Sequence, residues 1–289
     1  MDFKQYHQPV LVQSLLNHFN LANDSIVFDG TMGFAGHAEA ILSAYPSITY
    51  VGFDKDLAAI PIAKQRCAQF SKVQVINAPF SSMFQHVNNV PVLPTHILLD
   101  LGVSSFQIDQ SNRGFTFQKN EPLDMRMDTN ANLTANQVLH DYSHDALVEL
   151  FETQGDIRGP QKLVEEIISK RQQNKLKTTF DLVDCVKHGF FVRSRRQFIS
   201  MCTKVFQAIR IEVNGEMNEL KEFLDHVLKY SGVTVAIITF QPNEDKYLKA
   251  FIKDHGLIRI TKKPLQSSYQ ECKKNPRERT AKLRIFQIQ

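Results

Sequence analysis

The chain has 289 residues, 43% of them hydrophobic and 22% charged, with a mean hydropathy of −0.26, and no apolar run reaches the roughly 20 residues that span a bilayer. Its four cysteines (Cys67, Cys185, Cys202 and Cys272) are far apart and form no CxxC pair, which argues against a disulfide framework or a zinc site and for a reducing compartment. Net charge is only +4, but residues 158–210 hold 12 Lys/Arg against 4 Asp/Glu, a local +8 that leaves −4 elsewhere and marks a candidate nucleic-acid surface.

The N-terminal "MDFKQYHQPV" lacks the apolar core and small-residue cleavage site of a secretory signal, so a cytoplasmic protein is expected. The next hundred residues alternate two periodicities. "SIVFDGT" (25–31), "ITYVGFD" (48–54), "KVQVINAPF" (72–80) and "THILLDLG" (95–102) read as short buried strands. "HAEAILSAY" (37–45) and "DLAAIPIAKQRCAQF" (56–70) read as helices between them, Pro61 marking a helix start or a kink. This alternation predicts βαβ crossovers and a parallel sheet. From about 110 to 212 the strand signals vanish. "NLTANQVLHDYSHDALVELFETQG", "GPQKLVEEIISKRQQNK" and "KTTFDLVDCVKHG" have helical spacing, with Thr179 the expected N-cap of the last. After the amphipathic "GEMNELKEFLDHVLKY" (215–230), strands return at "GVTVAIITF" (232–240) and "AKLRIFQI" (281–288). The expected fold is an α/β domain of 1–110 and 213–289, interrupted by an all-helical basic insertion, 111–212.

Chemistry concentrates at the strand ends. Gly30, Gly33 and Gly36 lie between the first strand and helix with a G-x-x-G-x-x-G spacing. This departs from the G-x-G-x-x-G of dinucleotide folds, which disfavours an NAD-dependent oxidoreductase. The loop is closer to that of class I methyltransferases, although a tight β–α turn would use the same residues. Asp54 ends the second strand, where a carboxylate can accept two ribose hydroxyls. Capping the next helix is the alternative, which Asp56 could serve instead. Phe80 follows the third strand, where it would stack on an adenine ring or simply fill the core. Asp100 ends the fourth. Ligands of open α/β sheets bind outside the carboxyl ends of the strands, so Asp29, Asp54, Phe80 and Asp100 should converge on one crevice.

Together, "HQPVL" (7–11), "DGTMGFAGHAEAIL" (29–42), "GFDKD" (52–56), "DLGVSSFQID" (100–109), "RGFTFQKNEPLDMRMD" (113–128), "FQAIRIEVNGEMNEL" (206–220) and "NPRERTAKLR" (275–284) resemble the bacterial ribosomal RNA small-subunit methyltransferase H, or MraW, family. "RGFTF…PLDMRMD" is the most specific of these stretches. The resemblance implies a Rossmann-like class I methyltransferase sheet with an inserted helical RNA-recognition domain. It implies S-adenosyl-L-methionine as cofactor and N4-methylation of a cytosine in the decoding centre, the P-site region, of 16S ribosomal RNA. The partner would be 16S ribosomal RNA or the small ribosomal subunit; no membrane and no metal are expected, and a homodimer is admitted. By position, cofactor contacts would fall on Ala35, Gly36, His37, Asp54, Phe80, Asp100 and Gln107. Asp100 is the candidate catalytic residue, as acceptor for the amine or as cofactor anchor, with neighbouring backbone carbonyls as alternatives. Arg113, Arg126, Lys170, Arg171, Arg195, Arg196, Arg277 and Arg279 are candidate RNA contacts, and Lys175, Lys177 and Arg193 share the same basic run.

The chain departs from the family pattern in several places. Phe34 and Ala35 stand where glycine is usual, and Phe106 interrupts a Ser-Ser-Pro-Gln. "SMCTKV" replaces a His-Pro segment, "FQPNED" (240–245) replaces Phe-His-Ser-Leu-Glu-Asp, and "GDI" (155–157) replaces Gly-Glu-Glu. Several of these fall on the expected RNA side. A methyltransferase for another RNA or DNA cytosine, or a non-catalytic ribosomal RNA-binding assembly factor, are therefore the competing readings.

Overall fold

A computed structural model describes residues 9–89 and 93–289; of "HQPVL", His7 and Gln8 lie outside the described residues. Seven strands form one sheet: β1 (Ile26–Asp29), β2 (Thr49–Asp54), β3 (Val73–Asn77), β4 (His96–Asp100), β5 (Thr234–Thr239), β6 (Ile258–Arg259) and β7 (Lys282–Gln287). Their order is β3-β2-β1-β4-β5-β7-β6. β3 through β5 run parallel, whereas β7 pairs antiparallel with β5 and β6. This is a Rossmann-like sheet. The strand order reverses between β1 and β4, where a ligand crevice belongs. Helices α1 (Val12–His18), α2 (Gly36–Ala44) and α3 (Ala59–Cys67) cover one face, and α10 (Glu216–Val227) and α11 (Pro242–Asp254) the other.

Burial on both faces explains the continuous apolar strands: all of β5, TVAIIT, is buried. Side chains alternate across the sheet. Phe28, Val51, Ile97, Val235 and Phe286 form one row, packed on Phe223 and Leu224 of α10. Val27, Tyr50, Leu98, Ala236 and Ile285 face α2 instead, with Ala38, Ile41 and Leu42. By the same alternation Asp29, Asp54 and Asp100 all belong to the α2 face. Pro61 sits in the first turn of α3, so it marks a helix start and leaves no kink to explain.

Contact density divides the chain into two units. One comprises the chain up to Gly102 with Met217–Gln289, the other Val103–Glu216. The unit boundaries thus lie before α4 (Ser105–Asp109) and just after α9 (Arg195–Asn214), rather than at 110/111 and 212/213. The reason at the first boundary is local. The loop after β4 winds at once into a helix, because Ser104 and Gln107 cap each other in a capping box.

The second unit is helical: α5 (Ala135–Asp141), α6 (His144–Thr153), α7 (Gln161–Gln172), α8 (Thr179–Gly189) and α9 surround a core that includes Leu139, Phe151, Ile167, Leu182 and Ile209. The run of helical spacing over 132–155 forms two helices, because Ser143 caps Ala146 N and starts α6 anew. The N-cap of α8 is Thr178, not Thr179. Asp181 lies three residues after Thr178 and completes a capping box with it. Thr179 is instead fully buried, its hydroxyl accepting from Glu121 N and donating to Lys119 O. After α11, a short α12 (Tyr269–Lys274) precedes β7 in the first unit.

The three loop glycines do different work. Gly33 has φ +52 with nothing but Thr31 O, at 3.9 Å, near a Cβ. A Cβ on Gly36 would touch Pro9 at 3.1 Å. On Gly30 it would meet Leu99 at 2.4 Å, Phe80 Cβ at 2.6 Å and Met83 at 2.8 Å, so Gly30 is a packing glycine rather than a ligand-approach one. Gly30→Ala should therefore lower stability by about 1–3 kcal/mol through overpacking. Thermal unfolding of the variant checks this; an unchanged midpoint would show that Gly30 is not packed against Leu99, Phe80 and Met83 as described.

Candidate active site

Asp29, Asp54 and Asp100 end β1, β2 and β4 on one face of the first unit. Local backbone geometry fixes each. After β1 the chain turns through Thr31, whose N–H donates to Asp29 Oδ1 at 3.1 Å and whose hydroxyl accepts from Asp100 N at 2.5 Å. Tyr50 donates its hydroxyl to Asp29 Oδ2 at 2.7 Å. Thus Asp29 is spent on holding the turn. Burial raises its pKa to about 6, against the lowering effect of Tyr50.

Asp54 accepts one backbone N–H on each oxygen: Gly33 N on Oδ2 at 2.7 Å and Asp56 N on Oδ1 at 2.8 Å. Asp56 Oδ1 accepts from Ala58 N in the turn ahead of α3, whose N-cap, Ala58, has no side-chain cap. Each Asp54 oxygen keeps a second lone pair. Burial raises its pKa to about 6, with these N–H groups opposing.

Asp100 differs from both. Its side chain is 13% exposed, yet Oδ1 is buried without a hydrogen-bond partner. Oδ2 stands 3.7 Å from Nδ1 of His37, which is too long for a hydrogen bond. Burial alone raises its pKa to about 7. His37 donates from Nε2 to the Val10 carbonyl at 2.9 Å, and burial pulls its own pKa below the usual value. The ring is therefore neutral with a bare Nδ1 turned toward Asp100. An acceptor facing a carboxylate oxygen, beside an orphaned second oxygen, can accept donors from outside the chain.

Ala35 is the N-cap of α2 in the left-handed region, at φ 60 and ψ 33, a conformation that glycine adopts most readily. It is fully buried, as is the backbone turn it makes before Gly36 and His37. Phe80 is 7% exposed and packs edge-on against Phe223 at 5.9 Å, so its ring is part of the core. Gln107 lies in the second unit, its side-chain oxygen accepting from Ser104 N.

The candidate RNA contacts separate into two groups. Arg113 donates to the carbonyls of Arg126 and Met127. Arg126 makes a two-pronged pair with Asp124 and reaches the carbonyls of Thr129 and Ala131. Both knit the specific "RGFTF…PLDMRMD" loop together. Lys170 pairs with Asp184, and Arg171 donates to the Leu139 and Tyr142 carbonyls. Arg193, Arg195 and Arg196 are exposed. In the first unit Arg279 is exposed and Arg277 half-buried. Among the described residues no group of three or more His, Cys, Asp or Glu could hold a metal, and no helix is long and apolar enough to cross a membrane.

Glu219 was not singled out from the sequence. It is 8% exposed on α10. Oε2 pairs with Lys55 Nζ at 2.6 Å and Oε1 accepts from Phe80 N at 3.0 Å. One carboxylate thus ties together the loops that follow β2 and β3, beside Asp54 and at Phe80. A signal was present: Glu219 lies four residues before Phe223, on the buried stripe of an amphipathic helix.

The family model described as the MraW methylase family matches residues 4–289. Similar proteins include the ribosomal RNA small subunit methyltransferase H of Nautilia profundicola, 39% identical over 98% of this chain and 97% of the relative. Those of Nitratiruptor sp. and Helicobacter pylori strain HPAG1 are 37% and 36% identical, over 98% and 99% of both partners respectively. Among solved structures, an rRNA methylase from Streptococcus thermophilus aligns at a TM-score of 0.42 and 11% identity, over 96% of this chain and 93% of the other.

Glu219→Gln keeps an acceptor for Phe80 N but loses the charge opposite Lys55, whereas Glu219→Ala loses both. Thermal unfolding should order them wild type, Gln, Ala, with Ala costing about 1–3 kcal/mol. Equal midpoints for all three would show that the clamp contributes nothing.

Proposed function

The chain belongs to the MraW methylase family, and from that premise we propose that it methylates N4 of a cytosine in the decoding centre of 16S ribosomal RNA, with S-adenosylmethionine as the methyl donor. Its relatives carry the name ribosomal RNA small subunit methyltransferase H, which supports a small-subunit RNA substrate and, with it, a cytoplasmic place of action. The observation that carries the reading to an amine is Asp100, whose buried Oδ1 lacks a partner at the carboxyl end of β4.

The residues present fit the donor. Asp54 offers a second lone pair on each oxygen, suited to the two hydroxyls of a ribose. The turn at Ala35, Gly36 and His37 brings backbone to the head of β1, and Phe80 supplies an apolar wall for a purine. When bound, S-adenosylmethionine supplies an electrophilic methyl group on a sulfonium.

The acceptor's lone pair is conjugated into its ring, so the exocyclic amine is a weak nucleophile. Asp100 Oδ1, ionised, would accept a hydrogen bond from the amine and raise electron density on nitrogen as the N–C bond forms and the methyl's bond to sulfur breaks, the thioether being the leaving group; it would then hold the departing proton. His37 keeps Asp100 company with a bare Nδ1, so no internal donor competes for that oxygen. Thr31 fixes the Asp100 backbone, and Asp29 with Tyr50 fixes Thr31. Positioning and exclusion of water supply much of the remainder. A base must leave its stack to enter such a site, which favours looped or single-stranded RNA. Phosphates would be held by exposed cations of the helical unit, among them Lys175, Lys177, Arg193, Arg195 and Arg196.

Mass spectrometry of nucleosides from small-subunit RNA tests this directly. A strain lacking the gene should lose an N4-methylated cytosine at a decoding-centre position, restored by the wild-type chain and not by Asp100→Ala. Full methylation in the deletion strain would overturn the proposal.

A further inference from the structure

Phe191 is the most exposed large apolar side chain among the described residues, at 90%, and it stands in the most basic part of the chain. Between Lys187 and Lys204 there is no Asp or Glu, while Lys187, Arg193, Arg195, Arg196 and Lys204 are all present. We propose that Phe191 is a stacking platform for an unpaired base of the RNA, with Arg193, Arg195 and Arg196 gripping the phosphates on either side of it. This rests on the reading of the chain as an RNA methyltransferase and assigns a specific contact to its helical unit.

Local geometry turns the ring outward. Phe190, the C-cap of α8, is extended at φ −129 and ψ 139. Neighbouring side chains on an extended backbone point to opposite sides. Phe190 packs against the helical core, so Phe191 is driven away from it. The segment is held in place rather than left to drift. Gln197 Oε1 accepts from Arg193 N at 2.8 Å, and Gln197 N donates to Ser194 Oγ at 3.2 Å, which starts α9. A ring presented from a fixed loop loses little freedom when a base stacks on it.

The chemistry around the ring fits a nucleic acid rather than an apolar partner. The Arg193 guanidinium lies 5.9 Å from the centre of the Phe191 ring, so it occupies that region with a cation and leaves the remaining ring surface open. Arg195 and Arg196 are exposed, and among the described residues neither guanidinium makes a hydrogen bond or ion pair. This contrasts with Arg113, Arg126 and Arg171, whose donors are used on carbonyls and a carboxylate inside the same unit. Aromatic faces interleaved with free cations are the recurring grip on single strands, since every base has a π-face and every residue a phosphate.

The chain contains no tryptophan, so Phe191→Trp introduces a single indole reporter. The probes are an RNA of about ten nucleotides from the small-subunit decoding region, as a single strand and as a duplex with its complement. The single strand should quench the indole saturably and the duplex should not. Phe191→Ala should bind the single strand roughly 10-fold more weakly, with an unchanged slope of log affinity against log salt. Arg195→Ala with Arg196→Ala should flatten that slope by about 1.4. All variants should melt with the wild type, because the substituted side chains are exposed. Wild-type affinity in Phe191→Ala, or equal quenching by duplex, would overturn the platform while leaving the RNA reading intact. Failure of the wild-type chain to bind either RNA would overturn both.

Discussion

A buried carboxylate with an oxygen that nothing inside the protein satisfies is the constraint around which the first unit is arranged. Orphaned buried acceptors are costly, and folded chains rarely keep one without a use. At the end of β4 the surroundings could have supplied a donor, since Thr31 and His37 are both within reach of Asp100. Neither does so. The Thr31 hydroxyl takes the Asp100 backbone N–H, and the His37 ring gives its one proton to the Val10 carbonyl. The cost is a carboxyl whose pKa burial raises to about 7. The gain is an acceptor with no internal competitor.

The rest of the unit keeps that acceptor in register with its neighbours. Asp29 and Tyr50 lock the turn after β1. Asp54 locks the glycine loop to the head of α3 through Gly33 and Asp56. Glu219 locks the loops after β2 and β3 through Lys55 and Phe80. Gly30 lets Phe80, Leu99 and Met83 close over β1. Three raised carboxyls carry a pH signature: the folded chain binds more protons than the unfolded one between about pH 4 and 7. Their contribution to stability is therefore fully present below the unfolded value and lost as pH rises through the folded ones.

Much of this was legible from residue order alone. Apolar runs ending in Asp gave the strands and which end of them mattered, because parallel strands buried on both faces leave a strong continuous signal. That the three carboxylates share a face needed the register. The loss of strand pattern after Asp100 marked the helical insertion, but its edges depended on Ser104 and Gln107 capping each other, a contact no periodicity reveals. Thr179 reads as a cap because adjacent threonines are indistinguishable in the sequence, whereas Asp181 completes its capping box with Thr178. Arginine counts overstated the free basic surface. Charge reads the same whether a guanidinium faces solvent, as Arg195 does, or ties off carbonyls, as Arg171 does. Glu219 was missed because a glutamate on an amphipathic helix reads as solvated unless its phase is compared with that of Phe223.

The most direct test of the central claim is the pH dependence of single-turnover methyl transfer to small-subunit RNA, measured for the wild-type chain and for Asp100→Asn with cofactor saturating. If Asp100 is the acceptor, the wild-type rate rises with pH through an apparent pKa at or below about 7 and then levels, since only the ionised form accepts. Asp100→Asn should be at least roughly 100-fold slower and lack that rise. A variant as fast as the wild type, with the same pH profile, would contradict the account.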